Sequence, residues 1–332
     1  MKFYKEEKAL QYSEVFIVPQ YSTIESRSRV STSQDLDSET SIDVPVISAN
    51  MDSVTESDMA IYMWKGGGIG ALHRFMSVDD NVKMFEKVTN AGAKCFVSIG
   101  TNSDAISRAK SLFLSGARYF IIDIAHGHSI MMSNTIKSLR DVFGDNIYIM
   151  AGNVATSRAV GDLASWGADA VKIGIGPGNV CLTKNVTGVT YPQFSAVAQS
   201  ASCIYSTHSG KPMTLVADGG IQEIGDIAKA IGAGAHMVMC GRMFAGCTEA
   251  PGRRENGQKV YRGMASKDAM LSIRSEVGMP TPEGKSIMIS DSNQTVVDIL
   301  RNIKGGLQSA MSYSNARNIH EFQKNVMFGI RT

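Results

Sequence analysis

Eight short apolar runs recur along the chain, each closing in glycine or polar residues. They are Val44–Met51, Gly68–Arg74, Lys94–Thr101, Tyr119–Gly127, Ile147–Val154, Ala170–Gly178, Met213–Gly220 and Met237–Phe244. Near-continuous apolar character, without polar alternation, predicts strands covered on both faces, as in a parallel sheet. Between most of them lie segments with helical spacing, such as SDAISRAKSLFLSGA and TSRAVGDLASWGADA. Gly116-Ala117, Gly167-Ala168 and the run from Gly232 to Ala235 stand where helix C-terminal caps belong, just ahead of the next strand. Eight strand–helix units in 332 residues predict one α/β domain, a (β/α)8 TIM barrel. A doubly wound open sheet is the alternative, but no G-x-G-x-x-G turn follows the first strand.

Three stretches fall outside the repeat. Residues 1–43 form a polar N-terminal arm. Residues 179–212 insert a long loop and a helix between the sixth and seventh strands. The tail, 247–332, carries a charged hairpin-like stretch (RRENGQKVYRG), then PTPEGKS, then the helical pattern TVVDILRNIKGGLQSAM. Excursions at one end of a barrel are where lids and subunit contacts belong. Only Phe75–Ala93 separates the second and third strands, too short for an inserted domain.

Composition narrows the function classes. With 33 Lys+Arg against 31 Asp+Glu, the chain has no electrostatic case for a nucleic-acid partner. No stretch approaches the roughly 20 apolar residues of a membrane span, and MKFYKEEKALQY lacks the apolar core of a signal peptide. Five cysteines show neither a disulfide framework nor zinc-ligand spacing, so a soluble protein of a reducing compartment, the cytoplasm, is expected.

The C-terminal strand ends of a barrel build its site. Here they hold Asn50/Asp52, His73/Arg74, Thr101/Asn102, Asp123/His126, Asn153, Gly176/Gly178, Asp218-Gly219-Gly220 and Gly241-Arg242. Glycines after the last two strands let backbone N–H groups close on a phosphate, with Arg242 adding positive charge, although ordinary turn glycines would look the same. Asp218 beside such a pocket suits the paired hydroxyls of a ribose. The sharpest feature is Gly174–Thr183 (GIGPGNVCLT), where glycines around a proline shape an exposed turn bearing Cys181. A thiol there suits a nucleophile, with Thr183 two residues on to handle a proton. Cys95, Cys203, Cys240 and Cys247 read as core. His126 and His128 lack a third metal ligand and read as cofactor-facing or structural.

GIGPGNVCLT, ANMDSVTE, IDIAHGHS, AGNVAT, VADGG and YRGMAS together resemble the IMP dehydrogenase/GMP reductase family, almost end to end. The resemblance implies a barrel assembled as a homotetramer, a purine mononucleotide substrate (GMP or IMP) and a nicotinamide cofactor. It assigns Cys181 as the nucleophile at purine C2, Thr183 beside it and Glu283 as the proton-handling carboxylate. Asp218 would hold the ribose, with Gly219, Gly220, Gly241, Arg242 and Asn179 around the phosphate. Gly263, Met264, Ala265 and Tyr261 would contact the nucleotide. Asp123, Ala125 and Asn153 would line the nicotinamide side, with Arg74 and Thr101 at the cofactor approach. Arg27 would reach a neighbouring subunit's cofactor. Carbonyls of Gly176, Gly178 and Cys181 would face a monovalent cation, potassium. Asn179 stands where the family usually has serine, and Arg242 and Ala265 also replace small residues.

Two reactions share these residues. AHGHS, VTE and YRGM are dehydrogenase-like, whereas ANMD and Ser26-Arg27-Ser28 are reductase-like. The reductase's usual Tyr-Arg before its glutamate is replaced by Gly278-Met279-Pro280. A dehydrogenase activates water with a long flap bearing an Arg-Tyr pair. Residues 267–282 include Arg274 but no tyrosine and are too few for that flap. The reading is therefore NADPH-dependent GMP reduction, with NAD-dependent IMP oxidation as the alternative and an inactive nucleotide-binding barrel as the non-catalytic one.

Overall fold

A computed structural model describes residues 8–203, 205–271 and 281–331. Eight parallel strands close into a barrel: β1 (Val46–Ser48), β2 (Ile69–Leu72), β3 (Cys95–Ile99), β4 (Tyr119–Asp123), β5 (Tyr148–Val154), β6 (Ala170–Ile173), β7 (Thr214–Asp218) and β8 (Met237–Cys240). Each pairs with its sequence neighbours, and β8 returns to β1 through Val238–Val46, Met239–Ile47 and Cys240–Ser48. Most strands are shorter than the apolar runs that predict them. The glycine-rich ends, such as Gly174–Gly178, leave the sheet as loops at its carboxyl end.

Strand alternation sorts the side chains into two layers. Ile47, Phe96, Ile121, Met150, Ala170, Val216, Met237 and Met239 fill the barrel interior. Val46, Val97, Phe120, Ile122, Val171, Ile173, Leu215 and Val238 pack outward against the helices. Leu36 and Ile42 join the interior layer from a short antiparallel ribbon, Gln34–Asp35 with Ser41–Ile42. Tyr119 at the start of β4 bonds Asp37 at 2.7 Å and Thr40 at 2.6 Å, so this part of the arm plugs the amino end of the barrel.

The outer ring is α1 (Ser57–Lys65), α2 (Val78–Asn90), α3 (Ala105–Leu114), α4 (Ile130–Phe143), α5 (Ser157–Trp166), α6 (Gln193–Ala201), α7 (Ile224–Gly232) and α8 (Val296–Tyr313). Ser77, Ser129, Thr156 and Thr295 cap α2, α4, α5 and α8 by accepting an N–H of the first turn, each worth about 1 kcal/mol. The structure departs from the sequence pattern at two of these helices. α6 packs between α5 and α7, and α8 between α7 and α1. Both therefore belong to the barrel ring rather than to excursions from it. The long connections preceding them hide this in the sequence, but in the closed barrel these helices complete the ring between α5, α7 and α1.

Before α8 the tail forms a three-stranded antiparallel sheet, Arg254–Glu255, Gln258–Arg262 and Ser286–Ser290. Asn256 and Gly257, both at positive φ, turn its hairpin, the chemistry expected of an Asn-Gly turn. Val15–Val18 pairs antiparallel with Met327–Ile330, joining the two ends of the described chain. Among the described residues no helix is long and apolar enough to cross a membrane.

Candidate active site

A cavity of about 920 Å³ opens over the carboxyl ends of the strands. Its shape starts with Gly174, which ends β6 at φ +153°. A Cβ there would sit 2.0 Å from the Asp218 carbonyl oxygen, so only glycine lets β6 and β7 part at this point. The chain then runs through Gly176 and Gly178 to Cys181, whose N–H donates to the Gly178 carbonyl at 3.1 Å. Leu182 N–H donates to the Glu283 carbonyl (2.6 Å) and Lys285 N–H to the Val180 carbonyl (3.0 Å). Glu283 and Gly284 N–H both donate to the Ala265 carbonyl, at 3.1 and 3.0 Å. The cysteine loop, Gly263–Ala265 and Glu283 are thus one hydrogen-bonded unit, assembled from segments far apart in the chain.

Cys181 is half-buried at the cavity wall, and its thiol donates to Thr183 Oγ1 at 3.3 Å. The other cysteines differ. Cys95 and Cys240 are buried in strands, where desolvation pushes their thiols well above the usual range. Cys247 is likewise pushed up to about 12, first by burial and then by Glu249. Cys203 is exposed, contrary to the core position expected for it, because it follows the last turn of α6 on the surface.

The wall also holds Asp218, Gly219, Gly220, Gly241, Arg242, Asn179, Tyr261, Gly263, Met264 and Ala265, with Gly176 and Gly178 in the loop. Arg242 is exposed and makes no ion pair with a described residue. Arg74, Asp123, Ala125 and Asn153 line the same cavity. Two expected residues are not in this wall. Thr101 is displaced because the chain turns after β3 and presents Asn102 and Asp104 instead. Arg27 lies on an exposed 3-10 turn, its guanidinium donating to Ser309 on α8 at 2.9 Å, outside its own chain's cavity. Arg274 and Gly278-Met279-Pro280 lie outside the described residues.

His128 pairs with Asp162 at 2.7 Å and stacks on Trp166, a structural tie between α5 and the loop before α4. His126 is exposed and outside the cavity wall.

Sequence reasoning missed Lys172. It points into the barrel from β6, one step beyond the inward Ala170, and is almost wholly buried. Its ammonium donates to Asp123 Oδ1 at 2.7 Å and Asp218 Oδ2 at 2.9 Å. Burial alone would depress its pKa, but the two carboxylates outweigh that and hold it above the ordinary lysine value. Asp123, opposed by its own burial, is nevertheless held below the usual carboxylate range by Lys172 and, more weakly, Arg74. Asn153 Nδ2 donates to Asp218 Oδ2 (2.9 Å) and to the Gly174 carbonyl (2.8 Å), leaving Oδ1 buried without a partner among the described residues. The one available signal was a lysine inside an otherwise apolar strand, AVKIGIG. Outside this cluster, Arg262 binds Asp52 at 2.5 Å and ties the tail sheet to the loop after β1.

A barrel with this cysteine loop, this glycine-lined wall and a carboxylate returned by the tail matches one family from end to end. A family profile described as the IMP dehydrogenase/GMP reductase domain covers residues 9–332. The chain belongs to the IMP dehydrogenase/GMP reductase family. Its members are oxidoreductases that use a nicotinamide dinucleotide. The chain is 36% identical to a GMP reductase of Buchnera aphidicola subsp. Schizaphis graminum, over 98% of this chain and 95% of that one. It is 33% identical to an inosine-5'-monophosphate dehydrogenase of Borreliella burgdorferi, over 97% and 93%. Among solved structures, a Cys-to-Ala variant of GMP reductase from Trypanosoma brucei in complex with guanosine 5'-monophosphate superposes with a TM-score of 0.89 at 28% identity, covering 99% and 96%.

Proposed function

We propose that the protein is a GMP reductase, converting GMP to IMP and ammonia with NADPH through a covalent bond between Cys181 and purine C2. The observation that carries this reading is the pair of hydrogen bonds from Glu283 and Gly284 to the Ala265 carbonyl. They hold Ala265 beside Glu283, and the residues between them in the sequence, 266–282, are too few for the water-activating lid of a dehydrogenase. Alignment length agrees: the Buchnera reductase aligns over 337 positions, whereas the Borreliella dehydrogenase needs 384, so it carries insertions that this chain lacks.

In this reading the Cys181 thiolate attacks C2 and the exocyclic amine departs as ammonia. Thr183, within hydrogen-bond reach of the thiol, and Glu283 supply the protons the leaving amine takes up. Asp218 orients the ribose, and Gly219, Gly220, Gly241 and Arg242 surround the phosphate, with Asn179 in place of the family's serine. A reduced nicotinamide, when bound, would supply a hydride to C2, and Cys181 would leave as thiolate as its bond to that carbon breaks. Asp123, Ala125 and Asn153 fit the nicotinamide side because the orphaned Asn153 Oδ1 asks for an N–H donor. Arg74 is the candidate for the additional phosphate of NADPH. Potassium would rest on the carbonyls of Gly176, Gly178 and Cys181. Arg27 would serve a neighbour's cofactor within a homotetramer, and the cytoplasm is the compartment that suits a free catalytic thiol.

Incubation with GMP and NADPH should consume NADPH absorbance and yield IMP and ammonia. XMP formed from IMP and NAD, without NADPH loss on GMP, would reverse the assignment. Cys181→Ala should abolish turnover while GMP still binds, measured by single-turnover kinetics and calorimetry. A loss of only about tenfold (~1.4 kcal/mol) would remove Cys181 from the nucleophile role.

A further inference from the structure

The innermost polar layer of the barrel is a charge cluster that the chemistry above does not explain. Lys172 lies at the cavity wall and joins Asp218, assigned above to the ribose, to Asp123, assigned to the cofactor. Its path is confined. A Cβ on Gly152 of β5 would lie 2.6 Å from Lys172 Cβ, so glycine at 152 makes the room through which this side chain passes. An ammonium has three protons, and two of them are spent on these carboxylates. Asp218 Oδ2 is in turn saturated by Lys172 and Asn153, so Oδ1 remains as that carboxylate's acceptor for a ligand.

Resting on the assignment of Asp218 to the ribose and Asp123 to the cofactor, we propose that Lys172 is a positioning residue that couples the two half-sites. One buried ammonium holds both carboxylates in a common geometry. A ligand that engages either carboxylate therefore orders the other, and each ligand tightens the binding of its neighbour. A plain packing role would not require one buried ammonium bonded to two carboxylates that both line the cavity. Without the ammonium, two like charges would face each other across the same space, and one would take up a proton at a higher pH than a lone carboxylate does.

The test uses the unreactive pair GMP and NADP+, each titrated alone and with the other saturating, in the full chain. Wild type should show each ligand tightening the other several-fold, within the range usual for coupled sites. Lys172→Met should weaken each ligand at least about tenfold and bring the mutual effect close to unity. A purely structural role would lower stability yet leave the mutual effect intact, and that result overturns the proposal. So does the absence of coupling in wild type. Should Lys172→Met fail to fold, Asp123→Asn and Asp218→Asn, singly and together, test the same coupling. The clamp requires their effects on GMP affinity to be non-additive, and additive effects overturn it. Wild type that binds neither ligand overturns the functional reading and this proposal together. Turnover of GMP with coupling retained in Lys172→Met overturns the clamp alone.

Discussion

Two lysines of this protein are almost entirely shut off from water, and they behave in opposite ways. Lys172, in the barrel, has two carboxylates on its ammonium and is held above the ordinary lysine pKa. Lys259, in the tail sheet, donates to the carbonyls of Ser53 and Pro251 and ion-pairs with no described carboxylate. Burial, followed by the nearby Arg254, brings its pKa down to about 8 against the weaker pull of Asp291, Cys247 and Glu56. Burial is common to both, so it does not decide the charge. The partners do: carbonyl dipoles satisfy the donors of an ammonium without repaying the loss of its hydration, whereas two full negative charges more than repay it. The site has the charge-matched lysine, and the sheet that carries the tail has the mismatched one.

The strongest way to break this comparison is to remove both ammoniums separately. Lys172→Met leaves two half-buried carboxylates unmatched and should cost about 3 kcal/mol in urea unfolding. Lys259→Met should cost far less, about 1 kcal/mol, because the lost hydrogen bonds are offset by the end of an unfavourable burial. Equal losses would show that packing, not charge matching, governs both positions. A smaller effect sharpens the first: Asp123→Asn added to Lys172→Met should restore about 2 kcal/mol by removing one unmatched charge, measured by the same unfolding midpoints. If the double variant is less stable than the single one, the carboxylates are not the source of the loss.

A further effect lies in the pH dependence, where the two lysines have opposite signs. Lys172, raised in the folded state, stabilises fully below the ordinary lysine pKa, and its contribution is lost as pH climbs through the folded value. Lys259 titrates near pH 8 when folded and near 10.4 when unfolded, so between those values the unfolded chain holds the extra proton. Wild type should therefore gain on Lys259→Met as pH rises from 8, by at most about 1.4 kcal/mol per unit. Comparing the two proteins cancels the cysteines and tyrosines that titrate in the same range. A difference that stays constant from pH 7 to 9 would place the Lys259 pKa well above 8.

Much of the barrel was legible in the sequence for a simple physical reason. A strand covered on both faces has to be apolar along its length, and eight such runs with helical spacing between them leave few other architectures. The cysteine loop was legible because glycines and a proline beside a cysteine are local features. Gln193–Ala201 and Val296–Tyr313 were harder to place, since a helix far from its strand carries no mark of which groove it fills. Thr101 and Asn102 show the limit at single-residue scale. Both are small and polar after a strand, and only the turn of the backbone decides which one enters the wall.

Lys172 marks the boundary most clearly. The sequence by itself determined the strands, the capped helices, the Asn-Gly hairpin and the chemistry available at the strand ends, because each depends on neighbours within a few residues. It determined that a lysine sits in β6, but not that this lysine is charged. That rests on Asp123 and Asp218, 49 and 46 residues away, which reach it only when β4, β6 and β7 close around a common interior. Charge in a buried place is a property of the surroundings, and the tertiary structure alone supplied them.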